Sequence, residues 1–211
     1  MNAPRYIRPE LLEAIARNTL KRFDPRLIDS MENLCVPIEE IIEGLGLAIE
    51  YQYIRKNGRI LGETVFDNDY IPLYNMEKKK YELVYMERGT IIIDASLLES
   101  PADGRLRFTC AHELAHWLLH QELYCGSGDT AAMHNSIAKS SDADKSIERQ
   151  ADMLASALLM PINQVKRCFY HTIGSNKTEM LAKRFGVSKQ AMEIRLKEHL
   201  SLIHIFVGYR W

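Results

Sequence analysis

The sequence predicts an α+β fold: a small, mostly antiparallel sheet with helices packed on one side, followed by a C-terminal helix-turn-helix-like segment. Three observations predict it. Apolar residues recur at helical spacing near the N-terminus and again from Arg107 onward. Between Leu47 and Ile93 the period drops to two, in short runs. The links between those runs are short, as hairpin connections are.

Residues 9 to 23 carry Leu11, Leu12, Ile15, Leu20 and Phe23 at helical spacing, and Asp24-Pro25 ends the segment. Pro37 opens a second short helix, with Ile38, Ile41, Ile42 and Leu45 inward and Gly46 as terminator. Leu47, Ile49, Tyr51 and Tyr53 then alternate as a half-buried strand. Further strands are expected at Ile60 to Phe66, Tyr70 to Tyr74, Tyr81 to Met86 and Thr90 to Ile93. Asp67-Asn68-Asp69 and Glu87-Arg88-Gly89 read as hairpin turns, and Glu77-Lys78-Lys79-Lys80 as a solvated loop. Ile91-Ile92-Ile93 is apolar on both sides, which places it centrally. It leads through Ser100-Pro101-Ala102-Asp103 into the next helix.

That helix contains His112-Glu113-Leu114-Ala115-His116, a His-Glu-x-x-His pattern. On a helix the two histidines stand one turn apart and about 40° apart around the axis, so both can reach one metal ion. Glu113 lies about 60° from His116, beside the metal rather than on it, where a general base for water must sit. Thr109, His112, Glu113, His116 and His120 fall within an arc of about 100°, while nearly everything else on the helix is apolar. A buried helix with such an arc needs a partner that satisfies it, and a metal does so.

Two histidines do not complete a catalytic zinc site, which takes three protein ligands. The stretch Ile147 to Met160, stopped by Pro161, is a second helix. Glu148 is its candidate third ligand. Asp152, one turn later, is placed to accept a hydrogen bond from the far nitrogen of a ligating histidine. Ala151 and Ala155 let the two helices approach closely. His120 is the rival ligand, but it stands about 80° from His112 and two turns along the axis, so it reads as a hydrogen-bonding residue at the site margin. Leu119 and Glu122 exclude the metzincin pattern. Between the helices, Tyr124 to Lys145 is a long Gly-, Ser- and Asp-rich stretch expected to border the cleft.

The 211-residue chain is 46% hydrophobic and 26% charged, a globular composition. Its net charge of -1 argues against binding nucleic acid by bulk electrostatics. No apolar run has membrane-span length, and Met1 to Pro9 has no apolar signal core, so a cytoplasmic location is expected. Cys35, Cys110, Cys125 and Cys168 form no Cys-x-x-Cys pair, which speaks against a zinc knuckle or a disulfide framework. Cys110 points away from the polar arc and reads as core. His134, His171, His199 and His204 belong to no motif.

Arg107-Phe108-Thr109-x-Ala111-His112-Glu113-Leu114-Ala115-His116, followed by Glu148-x-x-Ala151-Asp152-x-x-Ala155-x-x-Leu158-Leu159-Met160-Pro161, resembles the ImmA/IrrE family of bacterial and phage zinc metallopeptidases. The resemblance runs over roughly residues 35 to 198; Ala115 stands where a glycine is more frequent in the family. It implies zincin-type helices on the sheet, with zinc on His112, His116 and Glu148 and Glu113 as catalytic base. It also implies a protein substrate, a helix-turn-helix repressor; no membrane partner is expected, because no apolar run has membrane-span length. The expected organisation is a metallopeptidase domain over 1–171, a helix-turn-helix-like pair of helices over 172–200 and an apolar tail over 201–211. In the pair, Gly186 ends the first helix and Ser188 caps the second. A DNA-reading role would use Lys189, Gln190 and Arg195, but Glu179, Glu193 and Glu198 dilute the charge, so nucleic acid is not the expected partner. In the tail Ile203, Ile205 and Val207 alternate like a strand. The alternative function is a non-enzymatic interaction or DNA-binding protein with a structural metal. Glu113 speaks against it, since a structural site needs no base.

Overall fold

The computed structural model describes residues 6–32, 35–99, 104–124 and 142–207, with the backbone alone at 142 and 200–207. Helix α1 (Pro9–Phe23) starts with proline in its first turn and stops at Asp24, whose backbone turns extended. One helical turn, α2 (Arg26–Asp29), follows. Pro37 caps α3 (Ile38–Gly44). Gly46, at φ 82°, turns the chain out of it: its N–H bonds to Glu43 O and that of Leu47 to Ile42 O, a Schellman closure that needs the left-handed residue. Leu45, expected inward, is exposed because it lies on the turn itself.

The strands form two units. In the first, β5 (Thr90–Asp94) lies between β1 (Ala48–Gln52) and β2 (Gly62–Thr64). In the second, β3 (Asp69–Asn75) pairs with β4 (Lys80–Met86). The pairings β2–β5 and β3–β4 are antiparallel, as expected; β1–β5 is parallel. Ile91, Ile92 and Ile93 are all fully buried in the central strand. Ile91 and Ile93 face the main helical core, while Ile92 faces a second cluster of Ile54, Val65, Ile71, Leu73 and Met86. A strand that is apolar on both faces needs cover on both, and the β3–β4 hairpin supplies the second.

The expected hairpin turns at Asp67–Asp69 and Glu87–Gly89 are therefore corrected: each joins strands that do not pair. The hairpin turns instead at the lysine run. Asn75 Oδ1 accepts from the N–H of Glu77 (3.0 Å) and Lys78 (2.9 Å), and Lys79 takes φ 51°.

From β5 a 3-10 turn (Ala95–Glu99) heads toward α4 (Arg105–Tyr124), which packs against β2 and β5. Helix α5 (Asp142–Leu159) packs on α4, and α1 packs on α5. Then come α6 (Ile162–His171), α7 (Lys177–Phe185) and α8 (Lys189–Val207). Gly186 caps α7 at φ 64°, and Ser188 Oγ accepts from Ala191 N–H at 3.1 Å to start α8. Residues 201–207 continue this helix, so the strand-like alternation of the tail is corrected; 208–211 lie outside the described residues. Arg195 is buried, bound to both carboxylate oxygens of Glu13 on α1 (2.6 and 3.0 Å) and to Met160 O (3.0 Å). It is not presented to DNA. Among the described residues no helix is long and apolar enough to cross a membrane.

Candidate metal centre

Helix α4 is anchored at its start by Arg107, which donates to Gly186 O (3.1 Å) and Val36 O (2.7 Å). One and two turns later it presents the histidines. His112 Nε2 and His116 Nε2 stand 3.0 Å apart. The Glu148 carboxylate on α5 closes the triangle, 3.2 Å from His112 Nε2 and 3.6 Å from His116 Nε2. Ligands of a tetrahedral zinc at its usual bond lengths are separated by about 3.3 Å, so this triangle has the size of one face of such a site. His112, His116 and Glu148 can together hold a metal ion.

The hydrogen bonds behind the triangle favour the same occupant. His112 Nδ1 lies 3.0 Å from Asp152 Oδ1, and His116 Nδ1 lies 3.1 Å from His120 Nδ1. If both Nδ1 atoms carry the hydrogens of these contacts, two Nε2 lone pairs and a carboxylate converge on one point, an arrangement that calls for a cation. Burial opposes charge on His112, but its hydrogen bonds to Asp152 and Glu148 outweigh that and push its pKa up to about 10. Burial likewise works against the Glu148 anion, yet His112 and His116 hold its carboxyl well below the usual range.

Glu113 is buried and points to neither ring nitrogen of the pair. Burial raises its pKa, partly opposed by His116, His112 and Thr64. Thr64 on β2 donates to Glu113 Oε2 at 2.8 Å. On the same strand, a Cβ built on Gly62 would stand 2.5 Å from Glu113 Oε1. A glycine inside a strand marks such a close approach. Sequence reading passed over both residues; the glycine within a strand was the available signal.

The structure thus brings together all five residues singled out in the sequence: His112, Glu113, His116, Glu148 and Asp152. His120 is buried behind His116, and burial followed by the charge of His116 lowers its pKa to about 4. Tyr124 stacks on Phe66 at 5.0 Å. Cys110 is buried, which pushes its thiol up to about 12 and fits a packing role. His134, Cys125 and most of the stretch expected to border the cleft lie outside the described residues; 142–145 open α5. A cavity of about 500 Å³ adjoins Asp152, lined by Leu61, Phe108, Met153, Val187 and Ile194.

The family profile of the IrrE N-terminal-like domain, a peptidase family designated M78, matches residues 70–197, more than half of the chain. The chain belongs to that family. Its matched segment contains α4 and α5, and hence the whole His112–His116–Glu148 triangle, whereas Gly62 and Thr64 precede it. No curated protein matches the chain.

Proposed function

We propose that this member of the M78 peptidase family is a zinc-dependent endopeptidase whose substrate is a helix-turn-helix transcriptional repressor. The observation that carries the enzymatic part is the convergence of His112, His116 and Glu148 next to a buried carboxylate that makes no contact with the two Nε2 atoms. A structural site has no use for that extra carboxylate; hydrolysis does.

Zinc held there supplies a Lewis acid that lowers the pKa of water and polarises the scissile carbonyl. His112 and His116 offer Nε2 atoms, with Asp152 behind His112 fixing its ring. Glu113 takes the proton of the attacking water on its carboxylate and delivers it to the leaving amine. Thr64 holds that carboxylate at Oε2 through both transfers. The repressor substrate rests on the family resemblance in the α4 and α5 blocks, and the role in transcription regulation follows from it.

The test is incubation of the zinc-loaded protein with a helix-turn-helix repressor encoded beside it. Discrete fragments are expected, blocked by a chelator and absent with Glu113→Gln, while casein is cut slowly. Rapid, unselective casein digestion beside an intact repressor would sink the proposal.

A further inference from the structure

His116 turns Nε2 toward His112 and Glu148 and its other nitrogen inward, where Nδ1 meets His120 Nδ1 at 3.1 Å. Two ring nitrogens in hydrogen-bond contact share one hydrogen. A ring that keeps its Nε2 lone pair for a cation carries its hydrogen on Nδ1. His116 is then the donor and His120 the acceptor. The hydrogen of a neutral His120 then falls on Nε2, which is buried, and the Gln150 side chain on α5 lies against the ring. Both histidines of the pair are thus backed in the same way but by different chemistry: His112 by the exposed carboxylate of Asp152, His116 by a buried imidazole.

We infer that His120 is the positioning residue for His116, accepting the Nδ1 hydrogen and so fixing the tautomer and ring plane that aim Nε2 at the metal. It is not a ligand itself: its Nδ1 is taken by His116, and among the described residues the ligand atoms that converge are those of His112, His116 and Glu148. The helix explains why a residue four positions on can do this: His120 follows His116 by one turn, on nearly the same face. Burial makes the contact matter, since a competing water does not replace the acceptor. The inference rests on the metal-site reading above.

The test is zinc affinity, read by competition with a chromophoric chelator on the full chain. His120→Leu removes the acceptor, whereas His120→Asn keeps an oxygen close to the place of Nδ1. Loss of such a partner weakens a metal site by about 10- to 100-fold; His120→Leu is expected to show that loss and His120→Asn to stay within about threefold of the unmutated protein. Equal affinity in His120→Leu overturns the inference, and so does His120→Asn as weak as His120→Leu. Failure of the unmutated protein to bind zinc overturns the site as a whole, which separates the two readings. Should His120→Leu lose its circular-dichroism signature of folding, nitrogen-15 spectra of the unmutated, zinc-loaded protein decide. The hydrogen is expected on Nδ1 of His116 and Nε2 of His120; a hydrogen on Nδ1 of His120 overturns the inference.

Discussion

Glu113 is gripped from one strand by two residues of different kinds: Thr64 holds one oxygen, and Gly62 leaves room for the other. Adding a methyl at Gly62 drives Cβ into the carboxylate, so Gly62→Ala should displace the base while leaving zinc bound. A displacement near 1 Å costs about a hundredfold in turnover. Peptide cleavage and metal content measured together check this, and undiminished cleavage by Gly62→Ala would show that the base tolerates the shift. Glu113→Gln should likewise keep its metal and lose about a hundredfold or more of activity, because an amide does not accept the proton. Thiol labelling gives an independent check on burial: Cys35 is exposed, Cys110 and Cys168 are buried, so peptide mapping should find the label on Cys35 and not on the other two. The histidines, Glu113, Glu148 and Asp152 were legible because each pair lies on one helix, where spacing fixes direction. Thr64 was not. Its contact spans 49 residues of sequence, and no local pattern encodes such a meeting.

At the scale of elements, the strands were legible in position but not in partner. Alternation marks a strand without naming its neighbour, and the parallel β1–β5 pairing leaves no local trace. The turn at Lys79 was hidden because Asn75 supplies by its side chain what a glycine would advertise. Helix α8 shows a further limit: Arg195, an obvious surface cation in sequence, is the buried tie to Glu13 on α1. Its guanidinium is 2% exposed and the Glu13 side chain 22%, so removing the carboxylate strands a buried cation. Glu13→Ala should lower stability by about 2–3 kcal/mol, allowing for Glu13's partial exposure. Urea unfolding monitored by circular dichroism measures it. An unchanged midpoint would mean that Arg195 finds another acceptor, His199 at 2.8 Å being the nearest at hand.

In the whole molecule, the site joins two helices that are separate in sequence: α4 brings His112 and His116, α5 brings Glu148. The α+β class and the inward stripes of both helices follow from periodicity, while the angle at which the helices meet is set by packing that no single segment records. A cation bridging α4 and α5 binds the folded chain in preference to the unfolded one. At a hundredfold excess over its dissociation constant it adds about 2.7 kcal/mol, which for a chain of this size raises the melting midpoint by about 5–10 °C. A chelator should reverse the rise, and Glu148→Ala should show little of it. The most direct measurement is zinc stoichiometry by elemental analysis of purified proteins loaded with excess zinc and washed. One zinc per chain is expected in the unmutated protein and in Glu113→Gln, with zinc still retained at weaker affinity in His120→Ala and loss or strong depletion in His112→Ala and Glu148→Ala. Retention by Glu148→Ala together with loss by His120→Ala would contradict the ligand set on which the proposed hydrolysis depends.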